Sequence, residues 1–124
     1  MNLDELSQHL GVRILEAKDL PKGIDGMYIH HSRLILIRHG LDRWNYNSVL
    51  AHELGHAWHG DDIHGDPRLE RRADQFAARL LISPIEYRLA ESLHDGHIGA
   101  IAYELGVTVR LVEVWRDMHD RITA

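Results

Sequence analysis

The stretch Leu50-Ala-His-Glu-Leu-Gly-His-Ala57 decides how the rest of the sequence is interpreted. It contains the pattern His-Glu-x-x-His, in which His52 and His56 are spaced i and i+4. On an α-helix this spacing projects both imidazoles from one face, where they can bind one metal ion. Glu53 is then placed to act on a water molecule at that metal without being a ligand. The apolar residues around the motif predict a helix packed into a core: Val49, Leu50, Leu54, Ala57 and Trp58.

The length and composition predict one globular domain over residues 1–124. Apolar residues make up 44% of the chain and charged residues 27%, proportions typical of a soluble protein. The longest aliphatic run, Leu34–Ile37, is far shorter than the ~20 residues that span a bilayer. The acidic residues at 1–5 are unlike a secretory signal. We therefore expect a cytoplasmic protein with no membrane partner.

The types of side chain available restrict the chemistry of any metal site. The chain has no cysteine and 11 histidines among 124 residues. Zinc would therefore be held by imidazole and carboxylate groups, without thiolates. The net charge of −5 disfavours a general nucleic-acid binder, because such proteins are usually basic.

The hydrophobic pattern of the first 40 residues predicts a helix followed by a small sheet. Residues 3–10 carry leucines at helical spacing, and Gly11 ends that helix. A short strand is expected at 12–15, and two more at 27–29 and 34–37 flank a polar turn typical of a hairpin. The predicted fold class is α+β, with a three-stranded antiparallel or mixed sheet packed on the helix that carries the histidine motif.

The rest of the chain is predicted to be helical. Asp42 and Gly60 are the expected caps of the motif helix, and Asp66-Pro67 and Ser83-Pro84 begin the next two helices. Two short helices separated by residues 106–108 resemble a helix-turn-helix. The expected helices run over about 43–59, 67–82, 84–94, 98–105 and 109–120. The domain would thus comprise a helix and sheet (1–40), two site-bearing helices (41–82) and a helical C-terminal part (83–124).

A zinc site of this kind needs a third protein ligand. Downstream candidates are His59, Asp61, Asp62, His64, Asp66, Glu70 and Asp74. His59 lies a turn too far along the helix, and with Asp62 it stands where metzincins require other residues, so that class is excluded. Glu70 and Asp74 are spaced i and i+4 on the next helix, so one can ligate the metal while the other hydrogen-bonds a ligand histidine. We favour Glu70 as the ligand.

Each of these residues also has a purely structural interpretation. The motif arises by chance more often in a chain with 11 histidines. Glu70 is also favoured in the first turn of a helix by the helix dipole alone. Asp74 can instead pair with Arg71 or Arg72. The loop at 61–66 can hold a second cation, but a solvated loop is the better interpretation. Four residues are possible oxyanion donors that are better interpreted as ordinary helix residues: Tyr87, His94, His97 and Tyr103.

An ordered set of motifs resembles the ImmA/IrrE family of bacterial and phage metallopeptidases. The strands Gly26–Ile29 and Leu34–Ile37 precede Leu50–Ala57, as in that family. The segment Glu70–Ala78 resembles the family's second motif, Glu-x-Glu-Ala-Asp/Asn-x-Phe-Ala, and Leu80–Pro84 resembles the Leu-Leu-Met-Pro that follows.

The resemblance implies a gluzincin-like zinc endopeptidase. It implies three zinc ligands: His52, His56 and Glu70. Glu53 would be the catalytic base, and Asp74 would orient a ligand histidine. Arg72 departs from the family pattern, which commonly has glutamate there, so the site is expected to be less negative.

The resemblance also implies a partner, because family members typically cleave a helix-turn-helix repressor that controls a mobile element or a stress response. Residues 97–124 carry three arginines and four carboxylates, a net charge of −1 that suits a basic protein partner better than DNA. We expect this segment to dock the substrate, with no direct nucleic-acid contact. Two alternatives remain: a metallopeptidase-like module that sequesters a repressor or antitoxin without cleaving it, and a DNA-binding regulator.

Overall fold

A computed structural model describes the backbone of residues 2–123 and the side chains of residues 2–120. Within that range the chain forms six helices and one three-stranded sheet, which confirms the α+β prediction. The elements are α1 (Leu3–Leu10), β1 (Arg13–Ala17), β2 (Gly26–Ile29), β3 (Leu34–Arg38), α2 (Arg43–His59), α3 (Pro67–Leu81), α4 (Pro84–Leu93), α5 (Ile98–Leu105) and α6 (Val109–Thr123). The ends of the predicted domain, residues 1 and 124, lie outside the described residues, as does the side chain of Arg121 that entered the charge count.

The sheet is mixed, with the strand order β1-β3-β2. β1 runs parallel to β3, and β2 pairs antiparallel with β3 through the expected hairpin, with Tyr28 opposite Ile35. β1 begins one residue later than predicted, because the N–H of Val12 donates to the carbonyl of Ser7 in the cap of α1. β2 is an edge strand, and it lies against α2.

Helix α2 lies between two hydrophobic clusters, as the apolar residues around its motif predict. Leu50 and Leu54 belong to the cluster formed with α1 and the sheet, whereas Ala51 belongs to the cluster formed with α3 to α6. Trp58 was expected in the core but is 54% exposed, because it lies on the outer side of the last turn and packs on Phe76. Burial on both sides fixes the position of α2 and of every side chain that it presents.

Helix α3 packs closely against α2. Asp66 accepts a hydrogen bond from the N–H of Arg68, and Pro67 occupies the first turn, so α3 begins where predicted. A methyl group added at Gly55 would lie 3.1 Å from the Cα of Ala73 and from the Cβ of Phe76. Gly55 therefore permits a backbone approach that a larger residue would prevent.

The C-terminal helices form the expected helix-turn-helix-like element. α5 ends at Gly106 in the left-handed conformation, and α6 packs on α3. The N–H of Thr108, in the turn between α5 and α6, donates to the Oγ of Ser48 on α2 at 3.3 Å. Among residues 2–123, no helix combines the length and apolar character needed to cross a bilayer.

The packing at Gly55 yields a stability prediction. Gly55→Ala should lower the free energy of unfolding by about 1–3 kcal/mol, because the Cα and the carbonyl oxygen of Ala73 in α3 would have to move. Gly99→Ala, at an exposed position of α5, is the matched control because an added methyl group there meets nothing within 4 Å. The control should be neutral, or more stable by up to about 1 kcal/mol from helix propensity. Urea denaturation of the two variants measures the difference, and equal stabilities would contradict the packing argument.

Candidate metal centre

The two motif histidines and one carboxylate from α3 converge on one point. The Nε2 of His56 lies 2.6 Å from the Oε2 of Glu70, and the Nε2 of His52 lies 3.4 Å from the Oε1 of Glu70. One ligand atom from each of the three residues lies within 4.8 Å of the others. In the described part of the chain, no other group of three or more histidines, cysteines or carboxylates meets that condition. Two imidazole nitrogens and a carboxylate can together hold a divalent metal ion.

The outer nitrogen of His52 contacts Asp74. Its Nδ1–H donates to the Oδ1 of Asp74 at 2.7 Å, and Arg110 of α6 donates to the Oδ2 of Asp74 at 2.6 Å. Burial raises the pKa of Asp74, but the hydrogen bonds and charges of His52 and Arg110 outweigh it and bring the pKa below its ordinary 3.8. An ionised carboxylate only accepts hydrogen bonds, so Nδ1 of His52 carries the proton and Nε2 faces Glu70.

The pKa of His52 reflects the same environment. Burial lowers it, but the hydrogen bond to Asp74 and the charges of Glu53, Asp74 and Glu70 outweigh burial, so the pKa lies above its ordinary 6.5. The surroundings therefore favour positive charge between the carboxylates, and a bound cation would satisfy that preference.

The outer nitrogen of His56 contacts Asp61, which the sequence analysis considered as a possible metal ligand and as part of a solvated loop. The Nδ1 of His56 lies 2.9 Å from the Oδ2 of Asp61, and Arg72 of α3 donates to the Oδ1 of Asp61 at 2.5 Å. The interpretation of residues 61–66 as a solvated loop is therefore wrong for Asp61, whose side chain is 6% exposed. The signal in the sequence is Gly60-Asp61, a helix-ending glycine followed by a carboxylate.

Glu53 lies beside the histidines but outside the ligand cluster. It is 6% exposed, and burial raises its pKa above the ordinary 4.5, while the charges of His52 and His56 offset that rise in part. A methyl group added at Gly26, the first residue of β2, would lie 3.1 Å from the Cγ of Glu53 and would overlap the side chain of Val49. The edge strand therefore passes directly over the Glu53 side chain.

The other candidate ligands lie outside the cluster. The Nδ1–H of His59 donates to the carbonyl of Gly55 at 2.8 Å, so His59 is engaged with its own helix. Asp66 caps α3, while Asp62 and His64 are exposed. The possible oxyanion donors are also placed elsewhere: Tyr87 contacts Glu91 and Arg116, His94 contacts Glu104, Tyr103 stacks on Trp44, and His97 directly precedes α5.

Two depressions meet at the cluster. One is a cleft of about 600 Å³ that extends toward Asn45, Thr108 and Arg110. The other is a pocket of about 260 Å³ that extends toward Ile63 and His64. Both are lined by Ile24, Gly26, Glu53 and Glu70. The three converging side chains therefore lie in a groove that is open on both sides, with β2 along it.

Comparison with known proteins identifies the family. The model of the Peptidase_M78 family, described as an IrrE N-terminal-like domain, matches residues 7–114, from α1 to α6. A comparison with curated proteins gave no significant match. The family match confirms the resemblance inferred from the motifs. It supports a metallopeptidase-type function, which implies a protein substrate. The chain belongs to the IrrE N-terminal-like peptidase family, the ImmA/IrrE metallopeptidases.

Proposed function

We propose that the chain is a zinc-dependent endopeptidase in which His52, His56 and Glu70 bind Zn²⁺. The observation that carries the proposal is the convergence of two Nε2 atoms and one carboxylate within 4.8 Å. Zinc favours nitrogen and oxygen ligands, and catalytic zinc sites use three protein ligands with one position left for water or substrate. The groove on both sides of the cluster provides access to that position.

Glu53 is the proposed general base. Zn²⁺ at this site supplies Lewis-acid activation of a water molecule and of the peptide carbonyl. The Glu53 carboxylate accepts a proton as the water oxygen bonds to the carbonyl carbon, and it donates that proton to the amide nitrogen as the C–N bond breaks.

The edge strand offers a way to hold the substrate. Gly26, Met27 and Tyr28 of β2 line the smaller pocket beside Glu53 and Glu70. A peptide in extended conformation can add to the free edge of a sheet through main-chain hydrogen bonds, which do not depend on its sequence. The groove would then present one peptide bond to Glu53 and the metal.

The proposed substrate is a helix-turn-helix repressor in the cytoplasm, docked by α5 and α6. Two arginines of α6 already bond within the protein: Arg110 to Asp74, and Arg116 to Tyr87 and the carbonyl of Gly96. These contacts compete with phosphate binding, whereas Glu104 and Glu113 are exposed on the same two helices. An acidic surface of this kind suits a basic DNA-binding protein better than it suits DNA.

The ligand assignment predicts the metal content of one variant. Glu70→Ala should weaken Zn²⁺ binding by more than roughly 100-fold, since removing a residue that merely supports a ligand costs about 10–100-fold. Glu86→Ala is the matched control, because Glu86 is also an acidic residue in the first turn of its helix. Mass spectrometric metal analysis of the purified proteins should find zinc in the control only. Stoichiometric zinc in Glu70→Ala would remove Glu70 from the ligand set.

The base assignment predicts a different pattern for Glu53→Gln. The amide is nearly isosteric but cannot accept the proton, so zinc content and melting temperature should be unchanged while cleavage falls by about 10²–10⁴-fold. The assay follows cleavage of a helix-turn-helix repressor, the proposed class of substrate. Wild-type cleavage by the variant would exclude Glu53 as the base. An uncleaved substrate that still binds wild-type protein tightly would favour the sequestering module instead.

The docking assignment predicts the effect of charge reversal. Glu104→Lys with Glu113→Lys should slow repressor cleavage by roughly tenfold or more at low salt, because electrostatic attraction raises association rates. Glu16→Lys with Asp19→Lys is the control: it makes the same change in net charge on β1 and two residues beyond its end, and β1 is the sheet edge opposite β2. Equal rates for the two double variants, or a tight sequence-specific complex of the wild-type chain with DNA, would contradict this docking surface.

A further inference from the structure

The end of α2 places a carboxylate against the second motif histidine. Gly60 adopts φ +68°, and the N–H of Asp61 donates to the carbonyl of His56 at 2.9 Å, while the N–H of Gly60 donates to that of Ala57. These bonds form a Schellman motif, which reverses the chain after a helix and satisfies its last carbonyls. The reversal brings Asp61 back over the final turn, next to the imidazole of His56.

Both oxygens of Asp61 are engaged within the protein. Oδ2 lies 2.9 Å from Nδ1 of His56, and Oδ1 accepts a hydrogen bond from Arg72 at 2.5 Å. The Asp61 side chain is 6% exposed, whereas the Arg72 side chain is 45% exposed. A carboxylate that is this buried needs compensation for lost hydration, and the guanidinium supplies it.

We propose that Asp61, held by Arg72, is a positioning residue that fixes His56 for metal binding. The two oxygens of Asp61 accept hydrogen bonds, one of them from Arg72, so the contact keeps the proton of His56 on Nδ1 and leaves Nε2 directed at Glu70. It also stops rotation of the imidazole about its Cβ–Cγ bond. This inference rests on the metal centre put forward under the proposed function, and it assigns a role to two residues outside the ligand set.

The same arrangement at His52 supports this role. There the Nδ1–H donates to Asp74, and Arg110 donates to the other oxygen of Asp74. Each motif histidine is thus bonded on its outer nitrogen to a carboxylate that an arginine holds. The supports come from different places: Asp61 from the loop after α2, and Arg110 from α6. The metal centre is therefore supported from both sides, and α3 supplies one member of each supporting pair, Arg72 and Asp74.

Zinc affinity tests the proposal directly. Asp61→Ala should weaken Zn²⁺ binding by about 10–100-fold in competition with a chromophoric chelator. Asp61→Asn retains an oxygen that can accept from Nδ1–H but lacks the charge, so its affinity should fall between those of Asp61→Ala and the wild type. Asp62→Ala is the control, because Asp62 is the next residue along the chain and is exposed. Its affinity should equal that of the wild type.

The variant Arg72→Ala distinguishes two roles for Asp61. Asp61 can position His56, or it can merely connect the loop after α2 to α3 through Arg72. If Asp61 acts on His56, Arg72→Ala should lose less affinity than Asp61→Ala, because the carboxylate still contacts Nδ1. The double variant should match Asp61→Ala, since Arg72 acts through Asp61. A merely connecting role predicts equal losses in both single variants, and that result would overturn the proposal. Melting curves of the metal-free proteins measure separately how much stability is lost with the contact between Asp61 and Arg72.

A spectroscopic readout completes the test. In zinc-loaded wild-type protein, the Nδ1–H of His56 should give a slowly exchanging proton resonance in ¹H–¹⁵N NMR. Asp61→Ala should lose this resonance by exchange with water, while the corresponding resonance of His52 remains. If Asp61→Ala keeps both resonances and the zinc affinity of the wild type, Asp61 has no positioning role. That result would leave the proposed zinc site intact. A wild-type protein that binds no zinc would instead contradict the proposed function.

Discussion

The site depends on one packing contact, the close approach of α3 to α2 at Gly55. Two metal-binding candidates are on α2 and the third, Glu70, is on α3, so the distance between these helices sets the distance between ligands. The backbone of α3 lies against Gly55 because that residue has no side chain. A wider separation of the two helices would move the Glu70 carboxylate away from both imidazoles. The packing of α2 on α3 therefore also determines whether the three side chains can reach one metal ion.

Burying this many polar groups is tolerated because each has a partner. Among the described side chains, no buried nitrogen or oxygen atom lacks a hydrogen bond. Asp74 and Asp61 would be costly to bury alone, and Arg110 and Arg72 offset that cost while their own side chains reach solvent. Glu53 has no such cation of its own. Burial without such a cation raises its pKa above the ordinary value.

Local signals in the sequence were enough to predict the elements and the cluster, but not its supports. The caps at Asp42, Gly60 and Asp66 set the helix ends, and helical spacing placed Glu70 and Asp74 on one face of α3. The contact between Asp74 and Arg110 spans 36 positions and depends on how α6 packs on α3, which no local pattern encodes. The prediction that Trp58 lies in the core was wrong, because an apolar residue next to a buried motif can still lie on the outer side of its helix.

The central claim is that two imidazoles and one carboxylate bind zinc, and X-ray absorption at the zinc edge of the loaded protein tests it most directly. The account predicts a four-coordinate first shell of nitrogen and oxygen atoms at about 2.0–2.2 Å, with the outer-shell scattering of two imidazole rings. The same spectrum from His56→Ala should show one ring. A six-coordinate shell of oxygen atoms without imidazole scattering, or a wild-type protein that takes up no zinc, would contradict the account.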